Sequence, residues 1–214
     1  MTATAASVAA RPAALPAAPL TVPPAAPPTA PPEHRDPAES ARVTVTALER
    51  PQPARSARLV LEPLAVRHAE EMAEVLGDPA LHSFIGGAPL GPAELRARYV
   101  RLVAGSPDPS VVWLNWVLRL RPEDRLVGTV QATVTDGGRT AEVAWVIGTP
   151  WQGRGFAREA AEGLVGLLLG RGVRTVVAHV HPDHTASAAG AAGLTPTDLV
   201  EDGETRWERR APAG

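Results

Sequence analysis

The chain has 214 residues, a formal net charge of −2 at pH 7 and no cysteine. This length suits one domain with an extension, and the missing cysteine excludes a disulfide framework, a thiol nucleophile and a thiolate metal site. No apolar run approaches the ~18 residues of a membrane-spanning helix, and the charge balance gives no electrostatic reason to expect a nucleic-acid or membrane partner.

Residues 1–56 differ in composition from the rest of the chain. Alanine and proline make up half of them, and they contain neither an aromatic residue nor a glycine. Such a segment buries too little apolar surface to offset its ordering entropy, and its proline pairs favour polyproline II. We predict a disordered extension over 1–56, a domain over 57–210 and a tail at 211–214. A targeting peptide is the alternative, but prolines interrupt its apolar centre, so we expect a cytoplasmic protein.

From residue 58 onward, the apolar spacing predicts elements in the order β-α-α-β-β-β-α-β-α-β-β. The predicted strands cover residues 58–64, 111–120, 126–134, 141–147, 173–180, 194–199 and 204–209. The predicted helices cover residues 65–76, 93–103, 157–169 and 185–192, with a loop at 86–92 and a hairpin turn at 136–138. Strand 141–147 is apolar on both faces, which predicts a central position. The fold class is therefore α+β, an α/β sandwich with one mixed sheet between helices.

A glycine-rich turn links this central strand to the next helix, with the sequence Gln152-Gly153-Arg154-Gly155-Phe156-Ala157. Exposed N–H groups at a helix N-terminus bind anions, and glycine allows close approach of a ligand. Arg154 adds a positive charge, so a pyrophosphate is a natural ligand. An ordinary strand-to-helix connection is the alternative. The turn is neither a Walker loop nor the dinucleotide-binding pattern.

The same six residues match the pattern Gln/Arg-x-x-Gly-x-Gly/Ala and resemble the acyl-CoA site of the GNAT superfamily of N-acyltransferases. The predicted element order over 57–210 is also similar to that family's. The resemblance implies acetyl-CoA as the cosubstrate without a metal, with its pyrophosphate on the backbone amides of 152–157. It also implies that the central strand splays from its neighbour. The backbone of Trp145, Val146 and Ile147 would then pair with the pantetheine arm, and the Val146 N–H would donate to the thioester carbonyl.

A second match covers residues 181–187, His-Pro-Asp-His-Thr-Ala-Ser, followed by Ala-Gly-Leu at 192–194. It is similar to a stretch of the ribosomal-protein N-terminal acetyltransferase branch. By that resemblance Ser187 lies near the CoA sulfur as the candidate acid. His184 stands where asparagine is commoner and is a candidate CoA contact. The single tyrosine, Tyr99, lies far upstream, so a tyrosine acid at the family's usual late position is excluded.

A cluster of histidines supports a competing hypothesis. His179, His181 and His184, with Asp183, also fit the His-x-His-x-Asp-His zinc motif of the metallo-β-lactamase fold, and imidazole with carboxylate binds zinc well. No histidine follows His184 to complete such a site, so a zinc hydrolase is a remote alternative and His179 is better interpreted as a packed strand residue.

The remaining candidate residues concern proton transfer and the acceptor. Ala141-Glu142-Val143 resembles the start of the family's central strand, which implies Glu142 as a general base acting through a water. A solvated rim carboxylate is the alternative for Glu142. Candidate acceptor-binding residues are Trp113 and Asn115 on one strand face, and Phe84, which with His82 is expected in the loop between the first two helices. Burial in the core is the alternative for the tryptophans.

We therefore predict an N-acetyltransferase that passes an acetyl group from acetyl-CoA to a primary amine by direct attack in a ternary complex. The acceptor is a small-molecule amine or a protein N-terminus, and the protein is a monomer or homodimer. A non-catalytic acyl-CoA-binding or sensory module on the same fold is the alternative.

Overall fold

The computed structural model describes residues 48, 50–181, 189–190, 192–201 and 203–212. Its strands are β1 (Ala54–Arg55), β2 (Leu59–Pro63), β3 (Val112–Leu120), β4 (Arg125–Thr135), β5 (Thr140–Ile147), β6 (Thr175–Val180), β7 (Thr195–Glu201) and β8 (Glu204–Arg210). Its α-helices are α1 (Ala69–Val75), α2 (Pro79–Ile85), α3 (Pro92–Ala104) and α4 (Phe156–Leu169). Short 3₁₀ turns cover Val66–His68, Asp136–Gly138 and Thr149–Trp151.

The strands form one sheet of eight in the order β1-β2-β3-β4-β5-β6-β8-β7. All neighbours are antiparallel except β5 and β6, because α4 connects these two as a crossover. Their parallel pairing covers only three positions, from Thr140 opposite Thr175 to Glu142 opposite Val177. Beyond Glu142 the two strands separate, although both continue. The mixed sheet with helices on both faces confirms the predicted fold class and the central position of the fourth predicted strand.

An apolar stripe along one face explains why this segment forms the α4 helix. Its buried residues recur at helical spacing along one face, and after Phe156 they are three alanines and three larger aliphatic residues: Ala157, Ala160, Ala161, Leu164, Val165 and Leu168. Burial of this stripe against the sheet stabilises the helix far more than intrinsic propensity does. None of the described helices is both long enough and apolar enough to cross a membrane.

The structure has a helix, α2, where the sequence analysis predicts a loop. The segment at 79–85, which carries His82 and Phe84, was predicted to be a loop because Gly77-Asp78-Pro79 ends the preceding helix. The Asp78 carboxylate accepts a hydrogen bond from the Ala80 N–H at 2.9 Å, and Pro79 occupies the first helical turn. These residues therefore stop α1 and also start α2, since aspartate is a preferred N-cap and proline suits the first helical position.

The folded unit also begins earlier than residue 57. Ala54 and Arg55 pair with β2, and Leu48 is fully buried in the core. The indole N–H of the buried Trp116 donates to the Gln52 carbonyl at 2.9 Å. Residues 50–56 are thus held by long-range contacts that their composition does not reveal, while residues 1–47 lie outside the described part of the chain.

Candidate active site

The glycine-rich turn opens α4 with exposed backbone donors. Gly153 and Gly155 adopt left-handed conformations with φ of +72° and +78°, and Gly155 is the N-cap of α4. The first helical hydrogen bond runs from the Glu159 N–H to the Gly155 carbonyl. The N–H groups of residues 156–158 therefore have no acceptor within the helix, which leaves them available to an anion at the positive end of the helix dipole.

Two arginines flank this turn. The guanidinium groups of Arg58 and Arg154 lie 4.4 and 5.0 Å from the ring centre of Phe156. The Arg58 side chain also donates to the Arg154 carbonyl at 3.0 Å. Both guanidinium groups are about half exposed, so positive charge is held beside the turn and remains accessible to an anionic ligand. Arg58 was not among the predicted site residues, because it lies almost a hundred positions from the turn.

Glu159 holds Arg58 in this position. Its carboxylate accepts hydrogen bonds from the Ser56 hydroxyl at 2.6 Å, the Arg58 N–H at 2.6 Å and the Arg58 Nε at 2.7 Å. Burial alone would raise the pKa of Glu159, but these hydrogen bonds together hold the pKa below its usual value. The ionised carboxylate thus ties the chain before β2 to the first turn of α4.

The open edge of β5 has a defined set of backbone groups. The Gly148 N–H donates to the Val127 carbonyl at 2.9 Å, and the register between β4 and β5 is unbroken from there to their hairpin. Because N–H directions alternate along a strand, Val146 turns its N–H toward β4, whereas Trp145 and Ile147 turn theirs toward the gap beside β6. The N–H groups that face the gap therefore belong to Trp145 and Ile147, not to Val146, where the resemblance implies a donor.

The carbonyl of Ile147 confirms this direction. The Gln152 side-chain amide donates to that carbonyl at 2.8 Å, and Gln152 belongs to the turn that follows β5, not to β4. The Gln152 side chain thereby braces the turn against the end of the strand, while the turn's backbone remains available. The predicted residues Trp145, Val146 and Ile147 and the turn 152–157 are thus contiguous along one edge of the sheet.

A cavity of about 380 Å³ lies beside the middle of β5, under α2 and α3. Ala144, Trp145 and Val146 form part of its wall. Much of the rest of the lining is aliphatic and comes from three helices and the loops around them, including Leu64, Leu76, Ile85, Leu90, Leu95 and Leu102. Its volume falls in the range of small-molecule sites. The cavity meets β5 next to the separation of β5 from β6.

Polar groups that form no hydrogen bond with the described residues also line this cavity. The Tyr99 hydroxyl is buried and makes no hydrogen bond with the described residues, and Tyr99 is only 4% exposed. Burial raises the pKa of this hydroxyl, against the opposing effect of the Arg98 charge, so it remains a protonated donor. Asn115, which is 7% exposed, lies opposite Gln131 in the sheet, and Gln131 lies opposite Ala144.

The structure therefore changes the significance of two residues. Asn115 lines the cavity as predicted for an acceptor-binding residue, whereas Trp113 is not part of the lining. Tyr99 lies too far upstream to be a tyrosine acid at the family's usual late position, but α3 brings it to the cavity. The helical spacing of Leu95, Tyr99 and Leu102 indicated one buried face of α3, but no local signal showed that this face borders a cavity.

The sequence leaves two interpretations open for the tryptophans, an acceptor pocket or burial in the core. Trp116 and Trp145 are among the largest fully buried side chains, so they belong to the core. Trp145 also borders the cavity. An aromatic acceptor pocket made of several tryptophans is therefore not what the described residues form. The Phe84 side chain lies outside the described part of the structure, although its backbone belongs to α2.

Glu142 lies at the last paired position between β5 and β6, on the same strand face as Ala144. Its carboxylate is 3.8 Å from the Nδ1 atom of His179, whose Nε2 atom is 3.7 Å from the Glu201 carboxylate. Glu142 is partly exposed and borders the gap between the strands, two residues from the cavity wall. This position suits a base that reaches the cavity through water.

The remaining predicted residues lie in the undescribed segment 182–188. Ser187 and His184, the candidate acid and the candidate CoA contact, both fall there, as does Asp183 of the zinc hypothesis. Among the residues that the structure describes, no three histidine, aspartate or glutamate side chains are grouped closely enough to hold a metal ion. His179 faces two carboxylates on the sheet surface and is partly buried, which fits its interpretation as a strand residue.

Comparisons with known proteins agree with this geometry. A family model described as an acetyltransferase (GNAT) domain matches residues 58–194. No curated protein sequence matches the chain. Among solved structures, an acetyltransferase of the GNAT family from Bacillus anthracis superimposes with a TM-score of 0.63 at 16% identity, covering 74% of this chain and 98% of that one.

Two further solved structures are similar in fold. RimL, a ribosomal L7/L12 alpha-N-protein acetyltransferase in complex with coenzyme A, gives a TM-score of 0.59 at 13% identity, covering 74% of this chain and 98% of that one. A spermidine N-acetyltransferase SpeG chimera from Vibrio cholerae and hSSAT gives 0.58 at 17% identity, covering 72% and 96%. At these identities the likeness concerns the fold alone.

Proposed function

The chain belongs to the GNAT family of acetyltransferases, and we propose that it transfers an acetyl group from acetyl-CoA to a primary amine. Structural neighbours include proteins described as N-acetyltransferases of a ribosomal protein and of spermidine, the former bound to coenzyme A. These descriptions support the reaction type and the cosubstrate. The acceptor differs between them, so it must be sought in the residues of this chain.

The observation that carries the proposal is the turn at 152–157 at the end of a splayed strand. Its free N–H groups and the positive helix end suit the pyrophosphate of acetyl-CoA, with Arg154 and Arg58 supplying nearby charge. The open edge of β5 suits the amide-bearing pantetheine arm, which would add hydrogen bonds as a further strand does. The thioester would then lie beside Ala144 and Trp145, where the cavity begins.

The chemistry requires an uncharged amine, a donor for the carbonyl oxygen and a proton acceptor. Acetyl-CoA supplies the activated acyl group: the amine nitrogen bonds to the carbonyl carbon, the carbon–sulfur bond breaks, and CoA leaves as the thiolate, which then takes a proton from water. The N–H groups of Trp145 and Ile147 are the available donors to the carbonyl oxygen as negative charge develops on it. Glu142 takes the amine proton through water. With no cysteine in the sequence, the amine attacks the thioester directly, without an acyl-cysteine intermediate.

Calorimetric titration with acetyl-CoA, followed by thiol release over a panel of amines, tests this proposal. We expect Glu142→Gln to lower kcat by about 10²-fold or more, a typical contribution of a general base, while leaving the acetyl-CoA affinity unchanged. Glu162→Gln is the matched control, because Glu162 is exposed on α4 and, among the described residues, pairs only with Arg158 at its own helix surface.

Failure of acetyl-CoA to bind would overturn the proposal. Binding without thiol release from any amine would instead support the alternative, an acyl-CoA-binding module without catalysis. Equal activity of the Glu142→Gln and Glu162→Gln variants would remove the role of Glu142 but keep the reaction.

A further inference from the structure

The residues that line the cavity beside β5 indicate a class of acceptor, which the reaction type alone does not identify. We propose that the acceptor is a small amine with an apolar body and one carboxylate group, for which an apolar amino acid is the simplest representative. This inference rests on the proposed acetyltransferase function. It depends on the lining of the cavity, and above all on Arg98, Tyr99, Asn115 and Gln131.

The apolar body follows from the walls. The lining is mostly apolar, and leucine and isoleucine side chains from the segments around α1, α2 and α3 contribute to it. Burying an apolar group there is favourable at roughly 25 cal/mol for each Å² removed from water. A sugar or a polyamine would have to leave water without recovering its hydrogen bonds on these walls, which costs free energy for every unpaired group.

The charge of the lining selects against cationic acceptors. None of the described residues that line the cavity carries a carboxylate, and one of them, Arg98, is a permanent cation. Arg98 is partly buried and forms no ion pair with the described residues. A second ammonium group in this space would face the Arg98 charge without a counter-ion, and an unpaired charge removed from water is costly. Polycationic amines are therefore poor candidates.

Arg98 itself indicates the anion. An unpaired guanidinium presents a fork of donors that suits a carboxylate or a phosphate. A carboxylate matches the single positive charge, whereas a phosphate dianion would need a second cation. The other basic residue in the lining, His82, has both ring nitrogens directed at backbone carbonyls, of Leu76 at 2.9 Å and Gly86 at 3.3 Å. His82 is thus committed to holding α2 and supplies no second site.

The neutral polar groups indicate where the amine lies. Asn115 and Gln131 are cross-strand neighbours, and Gln131 is the neighbour of Ala144 on β5. Their carboxamides make no hydrogen bonds with the described residues, and their oxygens can accept from an amine beside the β5 backbone. The Tyr99 hydroxyl, which is buried and has no partner among the described residues, donates to the carboxylate together with Arg98. The amine thus points to β5 and the carboxylate to α3.

Matched acceptors test this arrangement. Thiol release with acetyl-CoA is measured for L-phenylalanine against 2-phenylethylamine and for L-leucine against 3-methylbutylamine, with spermidine and kanamycin as polycations. Each amino acid differs from its partner only by the carboxylate. We expect kcat/KM to favour the amino acids by about tenfold or more, as one charge-assisted bidentate contact allows, and the polycations to be the poorest acceptors.

Two variants test the contributions of Arg98 and Tyr99 individually. Arg98→Met keeps the alkyl stem but removes the charge, so it should lower kcat/KM for the amino acids about tenfold and leave the decarboxylated amines unchanged. Arg96→Met is the matched control, because Arg96 is exposed on the same helix and outside the cavity lining. Tyr99→Phe should raise KM for the amino acids while maintaining or raising the melting temperature, since it removes a buried hydroxyl without a partner.

Efficient acetylation of spermidine or kanamycin, or an equal effect of Arg98→Met on both members of a pair, would overturn the inference while leaving the acetyltransferase function intact. Acetyl-CoA binding without transfer to any amine of the panel would also overturn it. A protein that fails to bind acetyl-CoA would overturn the proposed function instead, so the two failures are distinguishable.

Discussion

Alanine at Gly155 provides a direct test of the turn that opens α4, because the same helix offers a matched glycine. Gly155 is the N-cap residue with φ +78°, whereas Gly166 lies inside α4, is exposed and has no atom within 4 Å of an added Cβ. The two changes add the same methyl group to the same helix. We expect them to shift stability in opposite directions.

The magnitudes follow from the backbone conformations. A Cβ on Gly155 would lie 3.5 Å from the Arg58 Nη2 atom, an ordinary contact, so the cost is torsional and amounts to about 1–2 kcal/mol for a left-handed residue. Gly166→Ala should stabilise the helix by about 0.5–1 kcal/mol, because alanine loses less backbone entropy than glycine. The two variants should therefore differ by about 1.5–3 kcal/mol in free energy of unfolding.

Thermal unfolding followed by circular dichroism measures this difference. A domain of this size shifts by about 2–4 °C for each kcal/mol, so Gly155→Ala should melt below the wild type and Gly166→Ala slightly above it. Gly155→Ala should also weaken acetyl-CoA binding in calorimetry, because it distorts the donors of the turn, and Gly166→Ala should not. Equal melting temperatures and equal acetyl-CoA affinities for the two variants would refute the reasoning.

Two further predictions concern contacts of the first folded segment. Glu159→Gln should lower the free energy of unfolding by about 1–2 kcal/mol at pH 7, allowing for the exposure of Arg58. The native pKa of Glu159 is lowered, so the stability that this carboxylate contributes to the wild type is lost as the pH falls through that pKa. In urea unfolding, the difference in free energy of unfolding between the wild type and Glu159→Gln should therefore disappear below about pH 4. Trp116→Phe removes the donor to the Gln52 carbonyl and should speed tryptic cleavage after Arg55, with a destabilisation of about 1–3 kcal/mol; an unchanged cleavage rate would contradict the anchoring role of Trp116.

Much of the fold could be predicted because its signals are local. The apolar strand 140–147, the glycine-rich turn and the apolar stripe of α4 are adjacent in the chain, and each has a distinct period or composition. The helix α2 was missed since Asp78 and Pro79 both end one helix and begin another. The packing of residues 50–56 was missed because its partners, such as Trp116 and Glu159, lie far away in the sequence.

The two halves of the candidate site also differ in how far apart their residues lie in the sequence, and this difference has a functional consequence. The proposed acetyl-CoA half is built mainly from consecutive residues at the end of β5 and the start of α4, to which Arg58 is added from a distant part of the chain. The acceptor half is assembled from α3 and three strands: the register of the sheet brings Asn115 and Gln131 together, and α3 places Tyr99 beside the same cavity. Side chains in that half can change without disturbing the turn. We therefore expect acceptor preference in this chain to depend on the lining of the cavity, and above all on Arg98, which forms no ion pair with the described residues.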